Sequence, residues 1–252
     1  MPGRRSLTAG SSGGMKANTE RTFVVVGVAT VGLAAAVFAA AHPLFATDAA
    51  CRYAPMAEAF ASADWAEAFH PRFGVGFSVL AGALRMFSGS DGYGACAAVA
   101  TFAWALGALP VYSIAHRLFG RGAAWFALVL YMVCPQPLVW GLKGLREPFK
   151  MLGFLMMADA VLDCRETHSR RSAAKACLAL WFLFTFKCDA ICVGVAMAAL
   201  FAVFDGFRWN TLAVAASGVL ALQPMCALVY FWTGYWLPAP HFVPIWQRLF
   251  GA

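Results

Sequence analysis

Polar stretches and apolar runs alternate along the chain, and the runs come in two lengths. Residues 1–21 are polar, rich in Gly and Ser, and carry Arg4, Arg5, Lys16 and Arg21, which predicts a disordered tail. Residues 22–41 are unbroken apolar, about the length that crosses a hydrocarbon core of ~30 Å as a helix. Runs at 93–115, 122–141, 148–163 and 211–232 predict further spans. The longest run, 176–204, holds Lys187 and Asp189 near its middle, where charges are expensive in lipid. It predicts two short tilted half-spans, 176–187 and 190–204, meeting at a buried turn; one long helix with an internal ion pair is the alternative. Two segments differ from these. Residues 48–69 alternate Ala, Met and Phe with Glu58, Asp64 and Glu67, a pattern for a helix lying on the membrane surface. Residues 73–87 are apolar but short, with Arg85 near their end, and predict an interfacial or re-entrant helix. The expectation is all-α: a polytopic membrane helix bundle of about seven crossings over 22–232, with interfacial helices after the first span and a non-cytoplasmic segment at 233–252.

Composition closes off the other classes. The chain is 62% hydrophobic and 12% charged, against about 45–50% and about 25% in soluble domains. That excludes a soluble domain, and it excludes disorder as a whole, which needs low hydrophobicity and high charge. A cleaved signal peptide ending at Ala39-Ala40-Ala41 competes for the first run, but the run is longer than the usual h-region of about 7–15 residues. There are eight cysteines and no CxxC pair, and six of them sit inside apolar runs as small buried hydrophobes.

The net charge is +7, which in a soluble protein would suggest nucleic acid. In a membrane protein its placement matters more, because Lys and Arg collect on the cytoplasmic side. With the N-terminus inside and the spans alternating, Arg117, Arg121, Arg165, Arg170, Arg171, Lys175 and Arg208 all join the tail on the inner face. A full span at 73–87 would turn the two most basic loops outward. The outer face then holds Asp48, Arg52, Tyr53, His70 and Arg72, with Lys143, Arg146, Glu147 and Lys150 at the next turn and Lys187 and Asp189 at the third. Glu58, Asp64 and Glu67 read as solvated loop ends. Arg146, Glu147 and Lys187 border apolar runs, where a charge needs a reason. Carboxylates can accept a proton from a hydroxyl, and Arg and Lys can hold a leaving phosphate. Together they suggest a reaction on a phosphate-linked substrate. No His pair stands at metal-ligand spacing and no Gly-rich phosphate loop occurs, so no cofactor is expected and a divalent metal has no support in the sequence.

The order of these features resembles the GT-C glycosyltransferases, in particular the group of protein O-mannosyltransferases and lipid A aminoarabinose transferases. The matching text begins with Thr47-Asp48 and Arg52-Tyr53 after the first span, then His70-Pro71. It continues with Ser90-Asp91-Gly92-Tyr93, a span ending His116-Arg117-Leu118-Phe119-Gly120-Arg121, Cys134-Pro135, and Leu145-Arg146-Glu147-Pro148. The resemblance covers roughly residues 22–205 and implies a truncated or minimal member, since such proteins usually continue for several more spans. It implies an enzyme that moves a sugar from a polyprenyl-phosphate donor to a glycan, lipid or protein acceptor on the non-cytoplasmic face, most simply of a bacterial inner membrane. Asp48 and Glu147 take the catalytic positions. Arg52, Tyr53, His70, Arg72, Arg146 and Lys187 take the substrate-binding ones. The alternatives are a non-catalytic lipid-carrier binding or assembly subunit on the same scaffold, and a transporter.

Overall fold

The computed structural model describes residues 11–69, 75–167, 169–186, 226–227 and 229–234. Every regular element among them is a helix. Helix α1 runs from Ser11 to Ala41, so it begins inside the stretch expected to be a disordered tail. A single turn of π-helix at Ala49–Tyr53 leads into α2 (Ala54–Ala61), α3 (Trp65–Ala68) and α4 (Val75–Ser88). Next come α5 (Gly92–Leu106), α6 (Ala108–Phe119), α7 (Arg121–Val133), α8 (Pro135–Leu142), α9 (Glu147–Thr167) and α10 (Arg170–Phe186). The half-span 190–204 and most of 211–232 lie outside the described residues.

Three proline and glycine positions shape the apolar runs. Pro110 lacks the N–H that would bond Leu106, which separates α5 from α6. Gly107 nevertheless keeps helical dihedrals (φ −59°, ψ −22°), and Gly92–Phe119 continues as one apolar rod of 28 residues. The run expected as one straight span at 122–141 is instead bent by 45° between α7 and α8. Cys134 is extended (φ −67°, ψ 117°), the conformation a following proline imposes, and Pro135 opens α8 where its missing N–H costs nothing. Gly120 makes the α6–α7 turn at φ 85°, a region that disfavours any side chain.

Helix α1 lies antiparallel along the α5–α6 rod. Glu20 reaches Tyr112 at one end, Gly32 faces Ala105 midway, and Ala40 meets Gly94 at the other end. Helices α7 and α8 return along the same rod; Tyr131 donates to the Trp104 carbonyl at 2.9 Å, and Gly141 and Gly144 pack on Thr101 and Ala97. Helix α9 runs parallel to the rod and α10 returns against α9, with Gly153 on Leu183 and Phe149 stacked on Phe186 at 4.1 Å. The bundle therefore has two poles. One gathers the start of α1, the α6–α7 turn and the α9–α10 turn. The other gathers the end of α1, the π turn, α2–α4, the start of α5 and the α8–α9 turn. Tyr93 ties the second pole together: its hydroxyl donates to the Leu44 carbonyl and accepts from the Ala46 amide at 2.7 Å, while the Leu44 amide bonds the Leu142 carbonyl at 2.8 Å.

Thr19–Ala41 and Gly92–Phe119 are each long and apolar enough to cross a membrane, and the bent α7–α8 pair makes a third candidate. On α1, Phe23, Val26, Leu33 and Phe38 stand exposed in a form that only lipid or another apolar surface accommodates. Helix α9 is the opposite case. No residue from Glu147 to Cys164 is exposed, although many are half-buried and Arg165–Thr167 at its end are exposed.

The close contact between α1 and α5 makes a sharp prediction. A Cβ on Gly94 would stand 2.6 Å from the Ala40 carbonyl oxygen, which is backbone and cannot rotate away. Gly94→Ala is expected to destabilise the chain by about 1–3 kcal/mol, as overpacking does. Gly122→Ala, where nothing lies within 4 Å, is expected to stabilise by about 0.5–1 kcal/mol. Thermal denaturation of both variants in detergent checks the pair.

Candidate functional site

The pole tied together by Tyr93 also holds most of the residues singled out in the sequence. Asp48 stands just before the π turn and Arg52 lies in its last turn, so one turn brings them together in an ion pair of 3.1 Å. Both side chains remain more than half exposed, which leaves the pair open to a ligand. The turn buries Tyr53. Its ring meets Phe77 edge-on at 5.2 Å, and Arg146, arriving from the α8–α9 turn, sets its guanidinium 5.7 Å from the ring centroid. That is cation–π distance. Glu147 opens α9, where a carboxylate suits the positive end of the helix, and pairs with Lys150 at 2.7 Å.

Tyr53 registers the field of the whole group. Burial pushes its phenol up; the charges of Arg146 and Arg52 oppose this, and those of Glu147 and Asp48 add to it. Four candidates separated by almost a hundred positions in sequence thus act on a fifth, Tyr53. Beneath them Phe77, Phe149, Phe182 and Phe186 form a connected aromatic floor. His70, Arg72 and Lys187 lie outside the described residues, though Phe186, the residue before Lys187, ends α10 in that floor.

Other quoted motifs turn out to hold the backbone. Asp91 caps α5 by accepting the Gly94 amide at 2.6 Å, and Glu58 accepts the Gly92 amide at 3.1 Å while facing Arg85 at 3.7 Å. Asp64 accepts the Glu67 amide at the start of α3. Among the described residues no group of three His, Cys, Asp or Glu is placed to hold a metal ion, and the six described cysteines are free thiols.

No family model, characterised protein or solved structure matches this chain. The functional reading therefore stands on the chemistry of the site.

The opposite pole holds a constellation that sequence reasoning missed. Arg117, near the end of α6, is gripped by three carboxylates of α9: Asp159 at 3.5 Å, Asp163 at 3.0 Å, and Glu166. Asp163 also takes Lys175 at 2.7 Å and the Ser172 hydroxyl at 3.1 Å, both from α10. Glu20 of α1 accepts from Tyr112, Arg121 and Trp125, joining α1, α6 and α7. The available signal was the spacing 159, 163, 166, which puts three acids on one helical face.

Proposed function

We propose that the chain is a membrane glycosyltransferase acting at the Tyr93 pole on a polyprenyl-phosphate-linked sugar. The observation that carries the reading is the convergence of Asp48, Arg52, Arg146 and Glu147 around buried Tyr53. In this reading the acceptor hydroxyl attacks the anomeric carbon, the bond from that carbon to the phosphate oxygen breaks, and the phosphate leaves with the electron pair. Asp48 takes the hydroxyl proton. Arg52 and Arg146 are the cations available to the leaving phosphate, whose charge grows as the bond lengthens. The same reading makes the chain multi-pass, with its N-terminus in the cytoplasm of a bacterial inner membrane.

The test of function is the full chain in liposomes with a polyprenyl-phosphate sugar carrying a radiolabel. Release of polyprenyl phosphate with transfer to an acceptor, or to water, is the expected result. Retention of intact donor without turnover would instead identify a lipid-carrier binding subunit. The orientation is tested separately. A Lys143→Cys reporter is expected to react with an impermeant maleimide from the non-cytoplasmic side, and a Ser169→Cys reporter from the cytoplasmic side. The reverse would overturn the proposed face of reaction.

A further inference from the structure

The pole opposite the proposed active site opens into a cavity of about 930 Å³ between α1, α6, α9 and α10. It is lined by charges of both signs, and the signs differ in how they are committed. Each of its four carboxylates is already paired with a cation of the chain: Glu20 with Arg121, Asp159 and Glu166 with Arg117, and Asp163 with Arg117 and Lys175. Arg21 and Arg171 also line it, and neither forms a hydrogen bond or ion pair with another described residue. His116 lines it too, and among the described residues its side chain meets the Tyr112 ring at 6.0 Å. Among the described residues, the charge left uncommitted in the cavity is therefore positive, and it comes from α1 and α10, on two sides of the opening.

We propose that this cavity is a binding site for a phosphate group, held between Arg21 and Arg171. A phosphate presents several strong acceptors to which guanidinium forks are matched. The Arg117 network sets the selectivity. It fills the floor with satisfied ion pairs, so a cationic ligand finds no free carboxylate there. The cavity also borders Val24 and Val25, the start of the apolar part of α1. That location suits the headgroup of an anionic lipid as well as a soluble phosphate ester, and the shared chemistry is the phosphate. The site is independent of the transfer reaction proposed for the other pole.

The experiment uses the full chain in phosphatidylcholine nanodiscs, with the thermal transition as readout. One arm adds inorganic pyrophosphate; the other replaces part of the phosphatidylcholine with phosphatidylglycerol. Binding to the folded state raises the transition by mass action, and a rise of about 5 °C is expected in at least one arm. Arg21→Gln/Arg171→Gln is expected to remove that rise while leaving the transition in pure phosphatidylcholine unchanged, because both side chains are exposed and neither forms a hydrogen bond or ion pair with another described residue. A rise with pyrophosphate assigns a soluble phosphate ester; a rise with phosphatidylglycerol alone assigns the lipid headgroup. Should the double variant fold poorly, Arg171→Gln alone is expected to weaken the rise. No rise in either arm, or an equal rise in wild type and variants, overturns the site.

Discussion

Asp48→Asn is expected to reduce glycosyl transfer by about 10²–10⁴-fold, the usual loss when a positioned proton acceptor is removed. The substitution is nearly isosteric and its site is exposed, so the chain should still fold and insert. Its only described ion pair, with Arg52, is open to solvent on both sides, and pairs of that kind contribute little to stability. Activity and thermal transition should therefore separate cleanly, with one collapsing and the other barely moving. Full transfer by the Asn variant would remove Asp48 from the mechanism, and loss of folding would assign it to the π turn instead.

The second large effect lies at the other pole. Arg117→Met leaves Asp159, Asp163 and Glu166 facing one another without the cation that separates them. The Arg117 and Asp163 side chains are only 18% and 11% exposed, so solvent relieves little of the repulsion. Removing one partner of a buried pair costs about 3–5 kcal/mol, and a loss near the lower end, about 3 kcal/mol, is expected in detergent melts. Arg121→Met is the control. That side chain is 70% exposed, and a change below about 1 kcal/mol is expected. Equal losses in the two variants would show that the three carboxylates do not depend on Arg117.

These two poles differ in how far the sequence reveals them. The all-helical architecture is legible because apolar runs such as 22–41 and 93–115 are too long and too continuous for strands. Proline chemistry refines it: hydropathy alone draws 122–141 straight, whereas Cys134-Pro135 marks the bend. Asp48, Arg52 and Tyr53 could be grouped from sequence because they stand within six consecutive residues. Their approach to Arg146 could only be suggested, since it depends on α8 and α9 returning to the end of α1. The Arg117 network was hidden for a related reason. Arg117 and Asp163 are 46 positions apart, and they meet only because α9 runs parallel to α6. As loop charges, the basic residues carry information about topology, which says nothing of the acids they pair with.

Helix α9 gives the molecule a profile that its length conceals. Its 21 residues span about 32 Å, close to a full hydrocarbon thickness. Yet Lys150 stands near one end and Asp159 well before the other, separated by about 13 Å of helix rise. Both charges have partners within the protein, Lys150 with Glu147 and Asp159 with Arg117. Across a bilayer, polar ground would then extend inward from both poles like the two bulbs of an hourglass. Only the septum from Met151 to Ala158 would be insulating. A membrane voltage falls mainly across the least conductive layer, so the field in that septum would exceed the bilayer average about twofold. A charge crossing that thin waist would feel most of the membrane potential within three turns of one helix.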